Sequence, residues 1–541
     1  MSQDALPSPL TVPPGWWARM DSWLERAGER LNPILVKEAR QALKSRQFVI
    51  TLGLLLVCVL GWSLLGVAIL MPGIYYAATG PFMLTGYAII LTVPMLLIVP
   101  FSAYRSLAGE REDGTYELLS ITTLSSRQIV TGKLGSAVLQ MLVYYSALSP
   151  CIAFTYLLRG IDIITLGLIL FYTFIASVLL SSVGLLVATL SRARHVQILL
   201  SVALLLGLAF LTLMWCIWTA VLISEARGGI DFEDAGLWLV QAAILTGCGS
   251  YLVLFVLAAA AQLSFASDNR STKLRIVMLG QQVLFTGWMS YFWSVDHWEE
   301  FILSLLGYSA VHWLVMGSLL TGEWSVLSPR VKRQLPQSTL GRAFLTWFNP
   351  GSGTGYVFAV VNLGVVTLLG CGMAVVAANV GRWPVDAGQV ALVGTLLCAY
   401  VAVYLGVGRL IALWLRRFLN FGLLLPLVIH LFLLALGIAV PSFLQAWLFG
   451  FAGFEDYSAL QAPNWAWTLV EAIDGTLQFD PTVPILIVSS AAVVFLVNLV
   501  VTAREIEQER EAVPERVRLD ELQQHPERAV TKKRPASPFE E

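Results

Sequence analysis

Residues 109–133 read GEREDGTYELLSITTLSSRQIVTGK and lie between two long apolar runs. The stretch opens with charged residues, turns apolar at Leu118, Leu119, Ile121 and Leu124, and becomes polar again before the next run. Burying one Leu or Ile is worth about 1.5–3 kcal/mol, so leaving these side chains in water forgoes several kcal/mol. They must cover something: a partner, the bilayer surface or neighbouring loops. Leu118 and Ile121 are spaced to share one face of a short helix. Gly109 and Gly114 allow sharp turns beside the charged residues. Ser125 and Gln128 form a capping box for the helix that follows. The order is membrane helix, charged hinge, short amphipathic helix, cap, membrane helix.

The rest of the chain fits that order. Its 541 residues are 57% hydrophobic and 13% charged, against about 25% charged in a soluble domain. Windows near the ~20 residues that cross the bilayer core fall at 47–71, 83–104, 134–158, 163–190, 196–223, 237–266, 276–294, 301–322, 355–379, 389–414, 419–449 and 483–503. The chain therefore reads as an all-α, polytopic integral membrane protein with about 12 transmembrane helices. The first run is preceded by a long segment and exceeds a signal-peptide core, so it is read as a span and not as a cleavable leader. Four parts follow: lead-in helices at 1–46, six spans at 47–266 with a loop at 105–133, six spans at 267–503, and a charged tail at 504–541, expected to be disordered from Pro514 onward.

Loop charges orient the spans. With the N-terminus in the cytosol, the cytosolic segments hold 31 of the 34 Lys and Arg residues, and the outer loops hold only Arg159, Arg227 and Arg382. This is a strong positive-inside bias, and it puts both termini and the 105–133 loop in the cytoplasm. Net charge is −1, which gives no case for a nucleic-acid partner.

With these boundaries no Asp, Glu, Lys or Arg lies deep in a span; His312 and His430 do, and both read as hydrogen-bonded packing residues. Ion-driven transporters normally carry intramembrane ionisable groups, so energy for any uphill transport is expected from outside the bilayer. The chain has no phosphate loop: at Gly132-Lys133 the next residue is Leu134 where Ser or Thr is required, and Arg127 stands where the first Gly should be. It is therefore not expected to be an enzyme. The Asp296, His297, Glu299, Glu300 group reads as a solvated acidic loop, and the six cysteines as small apolar packing residues.

Upstream of the first span, Trp16, Trp17, Met20, Trp23, Leu24, Ala27 and Leu31 recur at helical spacing, as in a helix lying in the interface plane. Asn32-Pro33 then breaks and restarts the helix, Asn as N-cap and Pro as first residue. Lys37, Arg40, Lys44 and Arg46 face headgroups or a partner.

These residues resemble the permease subunits of type-2 ABC exporters. The intracellular loop after the second span of that family commonly reads E-R-E-x-G-T-x-E-x-L-L-x-T-P-L-S, followed by an Ile and a Gly-Lys. This chain supplies Glu110, Arg111, Glu112, Gly114, Thr115, Glu117, Leu118, Leu119, Thr122, Leu124, Ser125, Ile129, Gly132 and Lys133, and departs at Thr123, where the family usually has Pro. NPILVKEARQALKSR at 32–46 resembles the family's entry into its first span. The resemblance covers about residues 32–266.

It implies an integral membrane permease in a bacterial cytoplasmic (inner) membrane, driven by a separate soluble ABC ATPase subunit, itself a dimer, that holds ATP and Mg; the chain itself holds no cofactor. Glu110, Arg111, Glu112 and Glu117 would supply polar contacts to that ATPase, and Leu118, Leu119 and Ile121 the apolar anchor, with Gly114, Thr115 and Leu124 completing the partner-binding coupling loop. The second half is either a degenerate second permease unit, making a pseudodimer, or an accessory membrane domain. Two other functions fit the same residues: a non-transporting scaffold that recruits a soluble partner, and an ion-coupled secondary transporter.

Overall fold

The structure is a computed structural model. It describes residues 32–116, 124–191, 193–225, 232–265, 268–296, 298–324, 345–380, 386–419, 422, 424–450, 457–475, 481–509 and 515–524. The expected interfacial helix at 16–31 lies outside them. Among the described residues there is no strand. The chain divides into two compact units, Met1–Leu263 and Ser264–Glu541.

In the first unit a short helix, α1 (Pro33–Leu43), precedes six long ones: α2 (Arg46–Leu70), α3 (Gly80–Glu112), α4 (Ser126–Leu157), α5 (Ile163–Thr189), α6 (Arg194–Glu225) and α7 (Ala235–Leu263). The second unit holds α8 (Thr272–Asp296), α9 (Glu299–Leu320), α10 (Ser352–Val380), α11 (Ala387–Leu415), α12 (Leu424–Phe449), a short α13 (Trp465–Ile473), α14 (Thr482–Glu509) and α15 (Glu515–Gln524).

Eleven of these helices are long and apolar enough to cross a membrane. The protein is an all-α polytopic membrane protein. The expected span at 276–294 forms as α8, but Gln281, Gln282, Thr286, Ser290 and Ser294 leave it short of the apolarity of the others. Gln282 recovers part of the cost of its amide by donating to Ser309 Oγ of α9 at 2.8 Å. The tail departs from expectation beyond Pro514: ERVRLDELQQ is rich in good helix formers and folds as α15.

Several ends follow the local rules. Asn32 caps α1, its side chain accepting from the Ile34 amide at 3.1 Å. Ser125 and Gln128 form the reciprocal capping box on α4. Glu299 and Glu300 occupy the first turn of α9, where carboxylates oppose the positive end of the helix dipole. All six cysteines are free; Cys58 is exposed and the other five are half-buried.

In α3, Pro94 and Pro100 each lack the amide that an α-helix needs. The backbone answers with a wider π turn over Val93–Ile98. Ser177 of α5 donates to the Met95 carbonyl there at 2.5 Å. Below that turn Gly184 of α5 meets α3 so closely that a Cβ would lie 2.6 Å from the Pro100 carbonyl oxygen.

The core of the first unit runs through Met83, Leu91, Met95, Leu107, Val130, Met141 and Leu185. Its second span, α3, packs on α2, α4, α5 and α6, and α7 packs on α4 and α5. The second unit repeats these pairings in the same order. Its second helix, α9, packs on α8, α10, α11 and α12, and α14 packs on α10 and α11.

Outward faces such as Ile50, Leu54, Leu64 on α2 and Leu206, Phe210 on α6 are apolar and exposed, as faces turned to lipid must be. Gly184→Ala should lower the melting temperature of detergent-solubilised protein by an amount equivalent to about 1–3 kcal/mol, through overpacking against Pro100. Gly207→Ala, with no atom near the new methyl, should leave it unchanged or slightly raised.

Candidate functional site: a charged node beneath the loop

The loop that interrupts the spans rests on the last turn of α3 and the first turns of α4. Gly114 has φ +70°, a backbone conformation open to glycine and costly for most other residues. It turns the chain out of α3, and the Thr115 hydroxyl donates back to the Glu110 carbonyl at 3.1 Å. Glu112, Asp113, Gly114 and Thr115 are exposed. Glu117, Leu118, Leu119 and Ile121 lie outside the described residues. Leu124 is half-buried beside the cap of α4.

Glu110 and Arg111 behave differently from the expected surface contacts: both are engaged inside the chain. The Arg111 guanidinium donates to the Ala188 carbonyl in the last turn of α5 at 2.8 Å, one of the carbonyls a helix end leaves without an internal partner. Glu110 faces Lys133 of α4. Lys133 is 1% exposed, and its ammonium sits 3.1 Å from Glu38 Oε1, 3.0 Å from Glu110 Oε2 and 3.2 Å from the Ser106 carbonyl. The Glu110 contact is an ion pair off hydrogen-bonding angles, whereas Glu38 and Ser106 accept hydrogen bonds. Lys37, expected at headgroups, reaches Glu110 at 3.5 Å. Three helices, α1, α3 and α4, are thus joined through one buried ammonium.

Two glycines let α1 approach closely enough. A Cβ on Gly132 would lie 2.9 Å from Ile34 Cβ, and one on Gly135 would lie 2.8 Å from Leu35 Cδ1. Asn32 adds a second tie, its amide donating to the Gln128 carbonyl at 2.5 Å. On the far side of the loop the Tyr116 hydroxyl donates to the Leu263 carbonyl that ends α7 at 2.9 Å, and Tyr104 donates to the Gln197 carbonyl of α6 at 3.1 Å. The base of the loop is bonded to the ends of α5, α6 and α7 as well.

The second unit carries the same kind of device, unforeseen in the sequence. Arg275, in the first turn of α8, is fully buried. It donates to Glu323 just past α9 at 2.5 Å, to the Trp347 and Gly351 carbonyls and to Thr354 Oγ1. Arg409 lies inside α11, also fully buried, and donates to Asn498 Oδ1 at 2.9 Å and Glu505 Oε1 at 2.8 Å, both on α14. Of the two histidines at membrane depth, His430 bridges the Pro426 and Leu405 carbonyls, and His312 packs between the rings of Tyr308 and Trp313. Among the described residues no three His, Cys, Asp or Glu side chains come together as a metal site.

A buried charge that loses its partners is destabilising by about 3–5 kcal/mol. Lys133→Ala, which leaves Glu38 and Glu110 only the exposed Lys37 as a cation, should shorten the thermal half-life of the solubilised protein sharply. The triple variant Lys133→Met, Glu38→Gln, Glu110→Gln should recover most of it; a triple variant no better than the single one would mean that packing, and not charge, holds the node. Comparison with protein-family models, curated proteins and solved structures gives no match for this chain.

Proposed function

We propose that the chain is the membrane-spanning permease subunit of an ABC exporter, seated in a bacterial cytoplasmic membrane with both termini inside, and driven by a separate dimeric ATPase that docks on 110–124. The observation that carries this reading is the Lys133–Glu38–Glu110 node. A loop that transmits force needs a stiff base. Here an exposed turn, Glu112–Thr115, stands directly on three helices locked through a buried ammonium, with further bonds to the ends of α5, α6 and α7. Glu112 with Glu117 then supplies polar contacts, and Leu118, Leu119 and Ile121 the apolar anchor. Glu110 and Arg111 hold the lever instead of touching the partner. ATP and Mg bind to the partner, since the chain lacks a phosphate loop.

The repeated order of helix pairings supports reading 267–503 as a degenerate second permease unit, in which Glu323, just past the second helix, ties down a helix end as Glu110 does from the last turn of α3.

Replacing Glu112 with Lys and Leu118 with Asp should cut the ATPase activity that co-purifies with the chain from its native membrane by about a hundredfold, the loss of one charge-assisted contact and one buried Leu at about 1.5 kcal/mol each. In proteoliposomes the chain alone should move nothing under an ion gradient. Unchanged co-purification, or transport by the chain alone, would overturn the proposal; partner binding with no nucleotide-dependent transport would favour a scaffold.

A further inference from the structure

A cavity of about 400 Å³ lies in the first unit between α5, α6 and α7. One face of each helix lines it: Thr165, Tyr172 and Leu179 mark its course along α5, Trp215 and Leu222 along α6, and Leu237 to Cys248 along α7. From Thr165 to Leu179 the lining rises about 21 Å along α5, somewhat more than the ~15 Å depth of one leaflet of hydrocarbon. The wall is almost wholly apolar. Three of its polar groups bond within the protein: the Tyr172 hydroxyl donates to Gln241 Oε1, Thr165 donates to Asp162 Oδ2 at 2.7 Å, and the Trp215 indole donates to Thr173 Oγ1 at 3.1 Å. A polar ligand entering this space would lose its hydration and find little in return, whereas a hydrocarbon chain loses nothing.

One end of the cavity is charged. Asp162 stands one turn before Thr165, Glu225 one turn after Leu222, and Asp234 one turn before Leu237. Each of the three lining helices therefore places a carboxylate just beyond the apolar wall, at the same end. Glu225 and Asp234 are exposed and Asp162 half-buried. The nearest described cation in sequence, Arg159, belongs to the turn that leaves α4. An anionic headgroup would be repelled here, and a cationic one attracted.

We infer that this cavity binds one long alkyl chain of an amphiphile whose polar end carries an ammonium group held at the Asp162, Glu225, Asp234 rim. The site is independent of the proposed ATPase and is tested without it.

The test uses the full chain purified in a neutral maltoside detergent and a long-chain alkyltrimethylammonium carrying a diazirine midway along its chain. Photolabelling, mapped by peptide mass spectrometry, should fall on the α5, α6 and α7 lining. Unlabelled alkyltrimethylammonium should compete it away, and an alkyl sulfate of equal length should not. Ile244→Trp, on the accessible side of the wall, should lower that labelling about tenfold by displacing methylenes from the cavity; Ala176→Phe serves the same purpose if the first variant does not fold. Asp162→Asn, Glu225→Gln and Asp234→Asn together should abolish the preference for ammonium over sulfate while a neutral alkyl probe still labels, since Asn retains the cap on α5.

Labelling of the lining no stronger than that of Leu206 and Phe210 on the exposed face of α6, or unaffected by either filling variant, would reduce the cavity to ordinary lipid contact. Equal competition by the sulfate would overturn the headgroup assignment.

Discussion

A lysine ammonium almost out of reach of solvent costs several kcal/mol unless its charge is answered, and Lys133 is answered by two carboxylates from two other helices. The first unit's charged end is organised around that constraint. Glu38 must arrive on α1, so α1 must lie across α4; glycine at 132 leaves room for Ile34, and glycine at 135 spares Leu35 a shift. Glu110 must arrive on the last turn of α3, so α3 must extend beyond its apolar stretch, which in turn fixes where the loop begins. The Asn32-Pro33 break, the Gly-Lys pair and the acidic end of α3, far apart in sequence, serve one contact.

The second unit solves a similar problem with arginine. Arg275 and Arg409 each spread several donors over carbonyls and one carboxylate, which suits a planar guanidinium better than a point charge. Such ties fix the ends of packed helices more firmly than apolar contact does, because within a membrane apolar side chains gain little from meeting each other instead of lipid. Shape then comes from close glycine contacts, such as Gly184 against Pro100, and from side-chain bonds between helices, such as Trp62 Nε1 to the Met83 carbonyl at 3.1 Å.

Local rules made much of this legible. Apolar run length gave the helices, since a bilayer tolerates few alternatives, and the Ser125–Gln128 box and the Asn32 cap are decided by residues within one turn. The partners of Lys133 are not local: Glu38 is 95 positions away, and nothing in NPILVKEAR says that its acid points inward while its neighbouring lysine points out. Glu110 and Arg111 read as surface residues for the same reason; charge suggests exposure until a partner's position is known. Arg409 counts among the cytosolic basic residues by sequence, because its partners Asn498 and Glu505 come from the last long helix and nothing local marks it as buried. The helix at 515–524 was missed because a charged, proline-led segment looks unstructured by composition although its residues favour a helix individually.

The wide turn at Val93–Ile98 bears on how the loop is aimed. A π turn inserts one residue, which rotates everything below it by about 100° relative to an unbroken α-helix. Glu110, which meets Lys133, lies below that rotation. The two prolines therefore set the azimuth of a charged face lying several turns away. An edit at Pro94 or Pro100 that restored regular winding would swing Glu110 off its lysine with neither residue altered.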